Sequence, residues 1–239
     1  VVRIAVVLLA IAITCAGAPA VAERVTPPEG PAPAYVRSVL TDDGPRLQLR
    51  HGPRGRVVFV GERSKEAHRD RNFREVFRRS DARVSGRQTT CATWVRQSGP
   101  SVQQGLAVRI RDRAGRVRAV TLTKNVEFGL YWVFNVLTWD TARAGEPWRR
   151  VGQFDLSPVV GKSAHRLARL PWRVCLRASG RTVAFKVWLP REGAEPSWQD
   201  ETHARRARLP RGYAVGRPGW YVGHLPAGGR VVYGDLTTS

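Results

Sequence analysis

The chain has 239 residues, three cysteines, and 40 basic against 19 acidic residues, for a formal net charge of +21. Such a charge attracts anionic surfaces, but the basic residues are spread along the chain and form neither a tail nor a helical stripe. A nucleic-acid arm is therefore disfavoured and no nucleic acid is expected as a partner. Lysine stands only at 65, 124, 162 and 186, so the excess of Arg and Ala reads as the codon bias of a high-GC genome.

Arg3, the apolar run Ile4–Ile13 and the small-residue ending Ala20-Val21-Ala22 make the tripartite pattern of a secretory leader over residues 1–22. Cleavage after Ala22 fits the small-x-small rule, with a cut after Ala20 as the near alternative. The run is shorter than the roughly 20 residues a bilayer span needs. A retained anchor is the competing reading; once the leader is cut, no transmembrane segment remains. Ala12 and Thr14 do not make a lipobox around Cys15, which leaves with the leader.

Cys91 and Cys175 then remain, and an oxidising compartment favours their pairing. That bridge closes a loop of roughly 85 residues and contributes on the order of 3–4 kcal/mol in the chain-entropy picture. Two buried free thiols would instead suit a cytosolic protein. The expected location is secreted, extracellular or envelope-associated, where the polyanions to meet are wall polymers, acidic polysaccharides and lipid headgroups.

Residues 23–34 are Pro-rich without apolar periodicity and read as an extended spacer. Residues 35–239 then suit one all-β domain. Period-two runs begin with Arg46–Arg50 and Arg56–Gly61, and continue through Cys91–Arg96, Leu106–Arg111, Val117–Lys124 and Leu130–Trp139. Val151–Leu156, Trp172–Ala178, Thr182–Leu189, Trp220–Gly223 and Arg230–Leu236 follow. Each is rich in Val, Thr and aromatics and bounded by turn residues. In Leu106–Arg111 the alternation puts Leu106, Val108 and Ile110 on one face, with Arg109 and Arg111 on the other. The charged piece Ser64–Phe77 is the best helix candidate, with a loop as the alternative. Ser179-Gly180 supplies a hairpin turn. Many short strands with turn signals between them predict an antiparallel two-sheet sandwich or barrel.

The order of three stretches resembles the concanavalin A-like, laminin-G-like jelly-roll superfamily. Trp172-Arg173-Val174 turns at Gly180 into Val183-Ala184-Phe185-Lys186-Val187, and Gly219–Gly223 with Tyr233–Leu236 resembles the closing strand pair. Cys91–Arg96, Lys124–Val126 and Val151–Leu156 further resemble a group of exported actinobacterial proteins of unassigned function. The resemblance spans about residues 45–239 and implies a jelly-roll sandwich. Its members bind glycans, cleave them, or act as adhesion modules, so fold alone fixes no function.

Glycan-cleaving members line carboxylates along one strand as Glu-x-Asp-x-x-Glu, a triplet not present here. Glu127, Asp140 and Asp155 lie far apart in sequence, whereas retaining chemistry needs carboxyls about 5–5.5 Å apart. His51, His68, His165, His203 and His224 show no zinc spacing. No cofactor is therefore expected; calcium on Asp42, Asp43 or Asp235 competes with solvated turn acids. The most informative segment is 130–140: period two puts Trp132, Phe134 and Val136 inward, and Tyr131, Asn135 and Trp139 on the other face. Gln153 and Asp155, Lys186 and Trp188, and Arg109 share that parity, and together would floor a concave glycan site. A one-residue slip reverses every such assignment. The Cys91–Cys175 bridge would lie beside this floor, next to Thr93 and Arg173. The leading expectation is a non-catalytic, lectin-like module for a glycan or anionic cell-wall polymer. A structural or adhesion domain held to the envelope by charge is the runner-up, and a divergent glycan hydrolase or lyase the third. Oligomeric state is left open.

Overall fold

A computed structural model describes residues 33–44, 46–63, 72–99, 101–127, 131–161 and 170–239. The expected leader and residues 23–32 of the spacer lie outside them. The first sheet has the order β1 (Tyr35–Thr41), β4 (Arg74–Arg79), β13 (Arg217–Gly223), β6 (Gln103–Arg113), β7 (Arg116–Glu127), β8 (Tyr131–Asp140) and β9 (Trp148–Phe154). The second runs β12 (Ala204–Arg208), β11 (Thr182–Trp188), β10 (Trp172–Ser179), β5 (Arg87–Gln97), β14 (Arg230–Thr238), β3 (Val57–Gly61) and β2 (Leu47–His51). All pairings between these strands are antiparallel. One four-residue helix, α1 (Ser157–Val160), follows β9. The protein is an all-β, two-sheet jelly-roll sandwich, and Ala32–Ser239 form one compact unit.

Of the helix candidate, Arg74–Phe77 lie in strand β4, Asn72 and Phe73 lead into it, and 64–71 lie outside the described residues. Its charges disguised it. Glu75 is buried and accepts bonds from Arg37 Nε at 2.9 Å and Nη2 at 2.7 Å. Burial pushes the Glu75 carboxyl up, and the Arg37 guanidinium pulls it back down. Strands β1 and β12 were not read as strands. β12, Ala-Arg-Arg-Ala-Arg, shows little apolar alternation because it is an edge strand dressed in charge.

Trp94 and Phe134 stack across the sandwich at 6.2 Å, and Phe134 stacks on Phe185 at 5.8 Å. Polar bolts cross the same interior. Trp220 Nε1 donates to the Cys91 carbonyl at 3.0 Å, Thr90 Oγ1 to Gly219 at 2.8 Å, and Tyr233 OH to Tyr221 at 2.6 Å. Cys91 and Cys175 stand directly opposite each other on β5 and β10 and are joined by a disulfide.

The expected face of Arg109 is corrected by a β-bulge. The β6–β7 register shifts between Val108 and Arg111, with Arg109 at φ 61°. Leu106 and Val108 remain in the core between the sheets, but Ile110 turns outward to join Ala107. Arg109 is instead almost fully buried. It reaches the segment that leads into β5, donating from Nη1 to Ser85 O at 2.8 Å and from Nη2 to Gly86 O at 2.7 Å. Gly216 admits this bulge: a Cβ there would lie 2.3 Å from the Arg109 carbonyl carbon.

Lys124 follows the inward parity of Val120 and Leu122 and is 1% exposed. Its ammonium lies 4.9 Å from the Trp132 ring centroid, 5.7 Å from Trp94 and 5.8 Å from Trp172, with no carboxylate paired to it among the described residues. Burial lowers its pKa to about 7.

An unfolded lysine keeps its proton to about pH 10. Between about 7 and 10 the unfolded chain therefore binds the extra proton, and stability rises with pH, by at most about 1.4 kcal/mol per unit. Above about pH 10 the trend reverses, since buried Tyr221 and Tyr233 ionise only well above the ordinary range. We expect urea midpoints to climb from pH 6 to 9.5 in the wild type. In Lys124→Met the profile should be flat and higher at pH 6; a flat wild-type profile would refute a titrating lysine in the core.

Candidate functional site

The residues expected to share one floor lie on different surfaces. Asn135 and Trp139 are on β8 and Gln153 on β9, in the first sheet, whereas Lys186 and Trp188 are on β11 in the second. Tyr131 opens β8, Asp155 lies just past β9, and Arg109 is the buried plug described above. β8 and β11 match in outward parity, but parity says nothing about which sheet a strand joins.

The first sheet's outer face is mostly closed. One ladder row crosses five strands as Tyr221, Gly105, Thr123, Asn135 and Gln153. Only Gln153 of its side chains is exposed. The Tyr221 ring lies against Gly105, where a Cβ would come within 2.7 Å of its Cδ1. Farther along, Trp139 sits in a second apolar cluster with Leu40, Val76, Ala107, Ile110 and Tyr221. Its Nε1 donates to Thr121 Oγ1 at 2.9 Å, and its carbonyl accepts from Tyr213 OH at 3.0 Å. Trp139 faces away from the main core, as its parity required, but it packs rather than displaying a ring to ligand.

The second sheet's outer face is built differently. Three rows cross it: Cys91–Cys175–Lys186–Ala204, Thr89–Arg177–Ala184–Arg206, and Arg87–Ser179–Thr182–Arg208. The connection between β11 and β12 folds over the first of them. Trp198 from this connection packs on Cys91, Cys175 and Trp188. Lys186, itself buried, is claimed by that connection: Nζ donates to Pro196 O at 2.6 Å and pairs with Glu195 at 2.7 Å. Its ammonium lies 4.6 Å from the Trp198 centroid, and the Arg177 guanidinium carbon 4.1 Å from the same ring. Arg206 Nη2 donates to the Trp198 carbonyl at 3.1 Å.

Open depressions line up beside this indole. One of about 540 Å³ is bounded by Trp198, Gln199, Asp200, Glu201, Ala204, Arg205 and Arg206. The next, about 460 Å³, is bounded by Arg177, Ser179, Thr182, Ala184, Gln199 and Arg206, and a third, about 500 Å³, by Arg181, Thr182, Arg206, Ala207 and Arg208. Arg206 borders all three. No apolar period marks Trp198, Gln199 or Arg206 in the sequence. The available signal was a tryptophan outside any strand run, followed by arginines at 206 and 208 with strand spacing.

Of the acids considered for catalysis, Asp140 and Asp155 are tied up or solvated. Asp140 is held by Arg116, whose hydrogen bond keeps its carboxyl below the usual range, and lies 3.6 Å from Arg118 Nε. Asp155 is exposed and accepts from the Ser157 amide at 2.7 Å. Of the calcium candidates, Asp43 accepts from Asn72 and Asp235 from Thr93. Among the described residues no three His, Cys, Asp or Glu side chains gather as a metal site, and no helix is long and apolar enough to cross a membrane.

No protein-family model matches the chain, and no curated protein sequence matches it. Solved structures do. A carbohydrate binding module, CBM66, from Bacillus subtilis superposes with a TM-score of 0.51 at 8% identity, over 85% of this chain and 94% of that one. A Bacillus subtilis protein of unknown function with a galectin-like fold gives 0.49 at 11% identity, over 85% of this chain and 88% of that one. This chain shares its fold with a carbohydrate binding module. At 8% identity that likeness establishes architecture alone.

Trp198 is the lid over the disulfide and Lys186. We expect Trp198→Ala to speed native-state reduction of Cys91–Cys175 by dithiothreitol by about an order of magnitude, through increased access. An unchanged rate would show that the loop does not shield the bridge.

Proposed function

We propose that this chain is an exported, non-catalytic glycan-binding module whose ligand lies along the outer face of the second sheet beside Trp198. The observation that carries this reading is the line of depressions bordered by Trp198, Gln199 and Arg206. Sugars present apolar C–H faces and radiating hydroxyls, and sites that hold them combine an aromatic surface with a few planar polar groups. Trp198 offers its partly exposed indole, and Gln199, Ser179 and Thr182 offer exposed hydrogen-bonding groups. The carbohydrate binding module that shares the fold supports the same class of ligand. The leader pattern of residues 1–22 and the Cys91–Cys175 bridge support an extracellular site of action, where envelope polysaccharides are the ligands at hand.

Affinity electrophoresis through gels cast with polysaccharides tests this. Retardation should be saturable and should persist at about 0.5 M salt, where charges separated by more than a few ångströms are screened. It should fall about tenfold in Gln199→Ala, through lost hydrogen bonds to the sugar. Retardation that fades uniformly with salt and ignores Gln199→Ala would assign the protein to charge-driven envelope association instead.

A further inference from the structure

Resting on that glycan-binding reading, we propose that the ligand is an anionic polysaccharide, and that Arg177 and Arg206 clamp its acidic group over Ala184. The three residues form one row across β10, β11 and β12. Adjacent strands are about 4.8 Å apart, so the two arginines flank the methyl group of the residue between them. A larger side chain at Ala184 would fill the depression that the arginines enclose. As it stands, that depression is about 460 Å³, within the range of small-ligand sites.

Its chemistry is one-sided. Two guanidinium groups, two hydroxyls and one carboxamide line it, with no carboxylate. Arg177 and Arg206 belong to no ion pair among the described residues. The pair is also held in place. Arg177 is stacked on Trp198 at 4.1 Å, and Arg206 is anchored through one Nη2 hydrogen bond to the Trp198 carbonyl. Each keeps N–H groups in reserve. Burial depresses the Arg177 pKa first, and the neighbouring Arg206 charge depresses it further. An anion set between them would relieve this repulsion and receive charge-assisted bonds. Ser179 and Thr182, paired at the β10–β11 turn, lie one row farther on, where a pyranose carrying that anion would present hydroxyls. Arg181 and Arg208 border the adjoining depression, so the cationic track continues beyond one sugar.

The shared chemistry is a sugar-borne oxyanion, either a uronate carboxylate or a phosphodiester. The test uses polygalacturonate, the same polymer fully methyl-esterified, and a poly(glycerol phosphate) wall polymer, titrated calorimetrically against the purified chain. Inorganic polyphosphate and anionic phospholipid vesicles serve as non-glycan polyanions. Arg177→Gln and Arg206→Gln are compared with Arg111→Gln and Arg149→Gln, which remove the same charge from exposed positions on the first sheet.

Expected is about tenfold tighter binding to an acidic glycan than to the esterified one, lost in either clamp variant and kept in both controls. Arg177→Lys should recover only part of the loss, since an ammonium keeps the charge but lacks the two-pronged fork. Because Arg206 is exposed, Arg206→Gln is read even if Arg177→Gln loosens Trp198 and unfolds the site. Equal affinity for acidic and esterified polymers, unchanged in the clamp variants, would overturn the clamp while leaving glycan binding intact. Failure to bind any of these polysaccharides would remove the glycan reading itself. Polyphosphate or vesicles binding as tightly as polygalacturonate, with all four variants weakened alike, would reduce the site to diffuse charge.

Discussion

A pleated strand sends alternate residues to opposite sides, and two seven-stranded sheets enclose one interior only if nearly every strand keeps that alternation. The polar groups that enter this interior are mostly those that reach the other sheet: Thr90, Trp220 and Tyr233 each donate across it to a backbone carbonyl. A buried donor without a partner costs about 1–3 kcal/mol, so these bolts hold the sheets in one relative position. The alternation breaks at the Arg109 bulge. There the guanidinium caps the Ser85 and Gly86 carbonyls in the segment leading into β5, while the displaced Ile110 builds apolar surface on the opposite side. One inserted kink thus closes the sandwich and helps to build a second apolar cluster.

Lys124 shows the cost of keeping the alternation. Its position dictates an inward side chain, and three indoles receive it through their faces. The rings that face the ammonium give up hydrogen bonds in doing so: Trp94 Nε1 and Trp132 Nε1 are buried without partners. Glu75 meets the same burial with the opposite solution, a two-pronged bond from Arg37. The Glu75 carboxylate has a counter-ion that opposes the upward push of burial, whereas the lysine has only polarisable faces. A buried ion missing its counter-charge is the less favourable arrangement, and burial lowers the lysine's pKa to about 7.

Much of the sandwich was legible because period two survives in the residues. Ala92 and Trp94 inward with Cys91 and Thr93 outward, and Phe185 and Val187 inward with Lys186 and Trp188 outward, are as the alternation requires. Cysteines of matching parity on β5 and β10 pair face to face. What the alternation does not encode is which strands become neighbours, or whether an outward face meets solvent. Asn135 and Trp139 are outward yet buried, and Lys186 and Trp188 belong to the other sheet. Bulges are equally silent, since a residue at φ 61° such as Arg109 carries no glycine to announce it. The loop-borne Trp198 and the charged edge strand β12 fall outside any apolar pattern.

The net charge acquires a location once ion pairs are placed on the sheets. On the first sheet some arginines meet acids: Arg37 with Glu75, and Arg116 and Arg118 with Asp140. In the β11–β12 connection Glu195 meets Lys186. The rows just beyond, with Arg177, Arg206 and Arg208, have no such partners among the described residues. Screening over about 8 Å in physiological salt makes a scattered surplus weak at any one point. It does not weaken two guanidinium groups that share a pocket with no acid in its wall. A surplus of +21 is thus a poor guide to a partner when taken as a sum. Fixed geometry leaves Arg177 and Arg206 adjacent and outside any ion pair among the described residues, beside Trp198 on the outer face of the second sheet.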